Sequence, residues 1–375
     1  MSALNLSEFL SNKILKRKEV LNLIPKPEII TLDKALMDLN ISEVVDEYED
    51  MLQELYFSRN APHKFQYRNA SEIPAYQDFV EKLFDGKPLL ETGSWVYYSW
   101  NDKLIHFLPQ KLHEELRTTR NKGLITHEEQ EKFRKFKIGI AGLSIGQSAA
   151  YTIAVNGGCE VMHLADFDVI SATNTNRMRA SFDAVGMNKA VYLAKMIYEI
   201  NPYAKLELFL DGLTEDNMDK FFTGIDAVVD EIDHFPTKVR IREEAQRRKI
   251  PVIMAADVAD AVGLDIERYD LDPKQEFFNS KLDQNDLDLL KSPDFKFEDM
   301  ARIFIKMNGG DKAPQKLLDV VPLIGRELAG PPQLGSTAFL SGTVISYVVR
   351  KIALGEKVDA CSLMINLDSH ILGEK

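Results

Sequence analysis

The residues with the most chemical content are Asp166, Arg177, Lys189 and Asp233, which follow a glycine-bearing turn, Gly142-Leu143-Ser144-Ile145-Gly146-Gln147-Ser148. Glycines in such a turn let the backbone approach phosphate groups. A helix opening directly after it offers free N–H groups and a positive dipole end. Asp166 arrives one helix and one strand later, where a carboxylate can accept both ribose hydroxyls of a nucleotide. Asn174-Thr175-Asn176-Arg177 and Gly186-Met187-Asn188-Lys189 then supply a guanidinium and an ammonium. A nicotinamide cofactor has no need of two cations just beyond the ribose acid. Attack at the α-phosphate of ATP does, because it builds negative charge that both can stabilise. Asp230-Glu231-Ile232-Asp233 closes an apolar run, and a carboxylate at a strand's carboxyl end can hold Mg²⁺ against a triphosphate. Plain structural alternatives stand beside these roles. Asp166 also fits a turn aspartate, Asp233 the N-cap of a helix starting near Pro236, and Ser144 a residue that only shapes its turn.

The elements that must position these residues alternate. Lys137–Gly142, Glu160–Asp166, Leu206–Leu210, Ala227–Asp230 and Pro251–Ala255 read as strands, and Gln147–Val155, Asn188–Ile200 and Lys238–Lys249 as helices. Strands alternating with helices predict an α/β fold: a Rossmann-like, doubly wound, mainly parallel sheet. Thr126-His127-Glu128-Glu129 is a capping-box pattern that opens this unit. Residues 272–330 read as an irregular, acidic excursion, and 335–354 and Cys361–Asn366 as a closing helix and strand. Before the α/β unit, 1–115 reads as a separate α+β unit. It carries a helical pattern over Ile41–Leu55 and a hairpin from Trp95 to Leu108 turning at Asn101-Asp102. The expected domains are thus 1–115 and 116–375, the latter with a nucleotide-binding core at 126–272, a crossover at 273–334 and closing elements at 335–370.

Bulk properties narrow the partners. A formal net charge of −12 makes nucleic acid a poor partner. There is no signal-peptide pattern and no apolar run long enough to span a bilayer, so a cytoplasmic, soluble protein is expected. The two cysteines, Cys159 and Cys361, are too few and too far apart for a zinc knuckle, and free thiols are expected.

Taken in order, the strand, the glycine turn, Asp166-Phe167-Asp168, the Asn174-to-Arg177 run, Gly186-to-Lys189, Asn201-Pro202 and the Asp230-to-Asp233 strand end resemble the ThiF/MoeB/HesA superfamily, the adenylating fold of ubiquitin-activating enzymes. The resemblance covers about 117–270 and the helix at 335–354. It implies ATP- and Mg²⁺-dependent adenylation of a carboxylate. Asp166 would bind ribose, Asn174, Arg177 and Lys189 would contact phosphates, and Asp233 would bind Mg²⁺. Arg120 matches the family arginine that reaches the triphosphate from a dimer partner, so a homodimer is implied.

Three departures qualify the resemblance. The family's GxGGxG turn is here Gly142-Leu-Ser144-Ile-Gly146, the family's zinc cysteines are absent, and 272–335 holds no cysteine for a thioester. The large N-terminal unit and the missing zinc cysteines look more like the branch that matures small peptides of the microcin and pantocin type. In that branch the N-terminal unit would bind a peptide or another carboxylate substrate, for instance as a strand added to the hairpin edge. The resemblance to threonylcarbamoyladenosine dehydratases, which act on tRNA, stays open. So do an NAD(P)-dependent oxidoreductase, a non-catalytic nucleotide-fold scaffold, and a hydrolase reading of Gly142-Leu-Ser144-Ile-Gly146 as GxSxG with His370.

Overall fold

The computed structural model describes residues 24–31, 34, 39–292, 295–310 and 313–373, without the side chains of Phe297, Glu298 and His370. Two compact units emerge. One comprises the described residues up to Gln130 with Ile197–Ala204, the other Glu131–Met196 with Lys205 onward. This division falls inside the helix His127–Lys135 rather than at 115/116.

The first unit is built on a four-stranded sheet of β1 (Glu28–Ile30), β2 (Glu43–Val45), β3 (Ser94–Tyr98) and β4 (Lys103–Phe107), in the order β1-β3-β4-β2. β3 and β4 form the expected hairpin, turning at Asp102 with φ 54°, whose carboxylate accepts the Tyr97 hydroxyl at 2.7 Å. Two sequence expectations fail here. The helical pattern over Ile41–Leu55 splits, because the β-branched Val44-Val45 pair parallel to β4 and the helix begins only at Tyr48. The hairpin also has no free edge for a peptide, since β1 pairs with β3 and β2 with β4. The strand aromatics of the hairpin are core, while Trp100 at its turn is half-buried: His106 is buried and stacked between Tyr48 and Trp95, at centroid distances of 4.0 and 4.1 Å.

The second unit holds a seven-stranded sheet: β5 (Lys137–Ala141), β6 (Val161–Ala165), β7 (Lys205–Phe209), β8 (Ala227–Asp230), β9 (Val252–Val258), β10 (Ala261–Glu267) and β11 (Cys361–Asn366). The order is β11-β10-β9-β8-β5-β6-β7. Strands β9 to β7 run parallel, and β10 and β11 add antiparallel. This is the mainly parallel, Rossmann-like α/β sheet expected. Its central strands are apolar runs buried on both faces, with Ile138, Ile140, Val228 and Val229 all inaccessible. The chain builds outward from β5 through β6 to β7, then returns to β8 on the other side of β5. The β5/β8 boundary is therefore the topological switch point, where such sheets open a crevice at the strands' carboxyl ends.

β10 was not anticipated; it turns back from β9 through Ala259, which sits at φ 55°. The excursion at 272–330 is not irregular either. It folds into helices Gln284–Lys291, Phe297–Met307 and Gln315–Val320; Leu290, Ile303 and Met307 of the first two pack with Phe235, Val239 and Phe278, and Leu317 of the third with Val258. The closing helix Gly335–Ala353 lies against the helix Ile145–Val155. Gly342 permits this approach, since a Cβ there would stand 2.5 Å from Ser148 Cβ. Among the described residues, no helix is long and apolar enough to cross a membrane.

Beneath the crevice lies a buried ion triad. Arg242, inaccessible on the helix Phe235–Arg248, meets Asp230 of β8 at 2.6 Å and Glu267 of β10 at 2.9 Å, with the Phe278 ring 3.8 Å from its guanidinium carbon. Burial alone would raise the Asp230 carboxyl, but Lys238 and Arg242 outweigh it and hold it below the ordinary range. Removing Arg242 leaves the buried Glu267 without its counter-ion and Asp230 with Lys238 alone, at 3.2 Å. An Arg242→Ala variant is expected to lose about 3–5 kcal/mol of unfolding free energy in urea titrations. A volume-matched variant that also removes the buried Lys238 ammonium, Asp230→Asn/Lys238→Met/Arg242→Met/Glu267→Gln, should recover most of that loss.

Candidate nucleotide site at the carboxyl ends of the parallel strands

The crevice is shaped by a glycine. Gly142, with φ +84°, follows β5 directly, and a Cβ there would lie 2.2 Å from the carbonyl oxygen of Glu231 at the end of β8. Only a residue without a side chain fits between the two strand ends. Ser144 then precedes the helix Ile145–Val155, and its Oγ accepts from Arg177 Nε at 3.3 Å. That partner is a cation and no base, so Ser144 has no activating histidine among its described contacts. Gly146 sits in the first turn, where a Cβ would come 3.0 Å from Ile140.

Asp166, 7% exposed, points back at this turn. Its Oδ2 accepts the Leu143 N–H at 2.7 Å and its Oδ1 the Asp168 N–H at 2.8 Å. Burial raises its carboxyl above the ordinary value, opposed by Lys189 and these two amides. A carboxylate oxygen has two acceptor sites, so each oxygen can still take a ligand hydroxyl. Lys189 opens the helix Lys189–Ile200, with its Nζ 2.8 Å from Asp168 and 3.7 Å from Asp166. Asn188 fixes that helix start: its Oδ1 accepts from Ala190 N at 2.8 Å while its Nδ2 donates to the Asp166 carbonyl at 3.0 Å.

The loop after β6 delivers Arg177. Its Nη1 donates to the Thr173 carbonyl and to Asn176 Oδ1, each at 3.1 Å, and its Nη2 has no hydrogen-bond partner among the described residues. Asn174 is buried, and its Oδ1 accepts from Ser171 N at 3.0 Å, closing the loop on itself. At the end of β8 the Asp-x-x-Asp segment divides its labour. Asp230 belongs to the ion triad, whereas Asp233 is exposed and makes no hydrogen bond among the described residues. Arg120 belongs to the first unit, exposed on the turn Thr119–Asn121. The structure thus gathers Gly142, Ser144, Asp166, Arg177 and Lys189 through direct contacts, and Arg120 takes no part in them.

Sequence reasoning missed three participants: Asp168, which holds Lys189, and the pair Asp257 and Gln333. Asp257 lies near the end of β9, and its Oδ1 accepts from Gln333 Nε2 at 3.0 Å. Its Oδ2 is buried without a hydrogen-bond partner among the described residues. Burial pushes its carboxyl up to about 6, against the Gln333 hydrogen bond and the Arg177 charge, with Asp233 adding to the rise. One signal was available: an acid just beyond the predicted strand Pro251–Ala255, at the ligand-binding end. Gln333 had none, because its bond to Asn176 spans 157 positions.

Comparison with known proteins agrees with the topology and the motif order. Residues 118–280 match the model of the ThiF family. The chain carries a ThiF family domain. Over 324 residues the chain is 29% identical to the uncharacterized protein MT1398 of Mycobacterium tuberculosis, covering 86% of the chain and 45% of that protein. It is 35% identical over 118 residues to the tRNA threonylcarbamoyladenosine dehydratase of Escherichia coli, covering 31% of the chain and 43% of the relative. It is 28% identical over 149 residues to the molybdopterin-synthase adenylyltransferase of Haemophilus influenzae, covering 39% and 61%. The chain therefore spans less than two thirds of the length of each of these relatives. The similarity to the first extends well beyond the ThiF segment, whereas the shorter matches amount to roughly a domain's length.

The Asp257 carboxyl gives the ThiF domain a signed pH dependence. Its folded value is raised from 3.8 to about 6, so the native state binds more protons than the unfolded chain between these limits. The contribution is fully present below pH ~4 and is lost as pH rises through ~6, amounting to about 2 kcal/mol. An Asp257→Asn variant is expected to lack that component when unfolding free energy is compared at pH 4 and pH 7.

Proposed function

We propose that this protein binds ATP and adenylates a carboxylate. The observation that carries the reading is the convergence of Asp166, Lys189 and Arg177 on the Gly142 turn at the sheet's switch point. Asp166 would take the ribose hydroxyls, with the backbone of the turn and the start of the helix Ile145–Val155 facing phosphate. A substrate carboxylate oxygen would attack the α-phosphorus. The bond from that phosphorus to the bridging oxygen breaks, pyrophosphate leaves, and an acyl-adenylate remains. Arg177 and Lys189 stabilise the charge that grows on the phosphate oxygens, and Asn174 lines the same loop.

The residues present fit magnesium carried in by the nucleotide. Asp233 is an exposed carboxylate at a strand end, and no cluster of three ligating side chains occurs among the described residues. Asp233 would hold the ion, which when bound neutralises phosphate charge. The name of the Haemophilus influenzae relative, an adenylyltransferase, supports this chemistry. A homodimer in which Arg120 reaches the partner's triphosphate follows from the family resemblance. So does a peptide carboxylate as substrate, bound by the N-terminal unit. A second reading, a nucleoside carboxylate in tRNA, draws on the similarity to the Escherichia coli dehydratase, while the net charge of −12 opposes it.

The test is a thermal-shift titration followed by ATP–pyrophosphate exchange. ATP with Mg²⁺ at about 100 times its dissociation constant should add roughly 2.7 kcal/mol of stability, and NAD or NADPH none. Lys189→Ala and Arg177→Ala should each lower exchange by about 10²-fold or more while keeping the wild-type circular dichroism. Stabilisation by NAD or NADPH that ignores both variants would overturn the reading. Exchange stimulated by tRNA but not by peptides would select the second substrate.

A further inference from the structure

A chain of polar contacts crosses the carboxyl edge of the sheet and ends where the long excursion returns. Arg177 is its centre, holding Ser144 Oγ through Nε at 3.3 Å and Asn176 Oδ1 through Nη1 at 3.1 Å. The other half of the Asn176 carboxamide donates from Nδ2 to the main-chain oxygen of Gln333 at 2.9 Å. Gln333 in turn donates from Nε2 to Asp257 Oδ1 at 3.0 Å. The turn after β5, the loop after β6, the end of β9 and the last residues before the closing helix are thereby joined through side chains.

Two features make this chain rigid. The Asn176 carboxamide has only one workable orientation: its oxygen must face the guanidinium and its NH₂ must face a carbonyl. Flipping it would set donor against donor and acceptor against acceptor. The backbones also touch. A Cβ on Gly335, the first residue of the closing helix, would stand 2.4 Å from the Asn176 carbonyl oxygen. The excursion therefore returns onto the Asn176-Arg177 segment with no gap to absorb motion.

We infer that Asn176 and Gln333 are positioning residues for Arg177. The returning end of the excursion clamps the loop after β6, orients the guanidinium, and leaves Nη2 as its unpartnered face. The inference rests on the proposed adenylation only for what that face meets. The clamp itself is a property of the ThiF domain. Anything that lifts the segment at Gln333 would disorder Arg177, so the excursion and the nucleotide site are coupled through two hydrogen bonds.

Two measurements test the clamp. In protein labelled on arginine nitrogen, the Arg177 Nε–H resonance, assigned by its loss in Arg177→Lys, should be dispersed in the wild type. It should shift toward the free-arginine position in Asn176→Ala, where Nη1 keeps only the Thr173 carbonyl, and by less in Gln333→Ala, which keeps the main-chain acceptor of Asn176 and loses only the tether to Asp257. An unmoved resonance in both variants overturns the inference. The second measurement is a double-mutant cycle on ATP–pyrophosphate exchange. Asn176→Ala should lower kcat about tenfold and Gln333→Ala, which keeps its main-chain acceptor, by less, each with KM for ATP changed less than about twofold and with almost no further effect in Arg177→Ala. Asn176→Asp keeps the acceptor for Arg177 but sets an oxygen against the Gln333 carbonyl, and should fall between wild type and Asn176→Ala. Losses that persist in full in the Arg177→Ala background would mark a merely structural role and refute the clamp. A wild type without exchange, but with a resonance that collapses in the variants, would end the adenylation reading and leave the clamp standing.

Discussion

Between the ends of β5 and β8 there is no room for a side chain, and the ThiF domain is organised around that constraint. The Gly142 backbone passes so close to Glu231 that even a methyl group would overlap its carbonyl. Because β5 leads into the glycine turn and β8 into the acidic segment, this contact sets how far apart the two walls of the crevice stand. The residues after β8 alternate in purpose. Asp230 turns inward to Arg242, Glu231 accepts the Ala255 N–H at 2.7 Å, and Asp233 emerges into solvent. An anchored acid, a bracing acid and a free acid thus occupy four consecutive positions.

Charge is buried here for two different ends. The Asp230–Arg242–Glu267 triad is completed by Lys238 on Asp230 at 3.2 Å, with Tyr269 donating to Glu267 at 2.7 Å and the Phe278 N–H donating to the same oxygen at 2.7 Å. That second bond holds the turn in which Phe278, Asn279 and Ser280 sit at φ 55°, 53° and 61°, a left-handed run costly for residues with side chains. The triad therefore ties β8, β10 and the start of the excursion together. The site carboxylates are different. Asp166 and Asp257 are both raised by burial; each Asp166 oxygen accepts a single amide, and Asp257 Oδ2 has no hydrogen-bond partner among the described residues. Unfilled buried acceptors are destabilising, and they are the groups a ligand would satisfy.

The excursion at 272–334 links these two regions. It leaves the sheet beside the triad, packs its helices through Leu290, Ile303 and Met307, and comes back at Gln333 against the loop that bears Arg177. Its second end is joined to the loop after β6 by hydrogen bonds rather than by apolar burial. Such contacts are directional, so they orient a guanidinium where apolar packing would only cover it.

Read alone, the sequence determined the strands of the parallel sheet, the hairpin at Asn101-Asp102, the glycine turn and the order of Asp166, Arg177, Lys189 and Asp233. These are local matters: apolar runs, turn residues and their spacing report backbone preference over a few positions. Only the tertiary structure decided that Val44-Val45 would be a strand, because that choice depends on pairing with β4 more than 50 positions away. It also decided that the apparently irregular excursion would be helical, since its few apolar residues form a face only against Phe235 and Val239. Asp230 and Asp233 are the same residue type three positions apart. What separates a buried structural anion from an exposed one is Arg242, delivered by another element, and no local pattern encodes that meeting. The contact between Asn176 and Gln333 is likewise a product of chain return, and long-range returns leave no periodic trace in sequence.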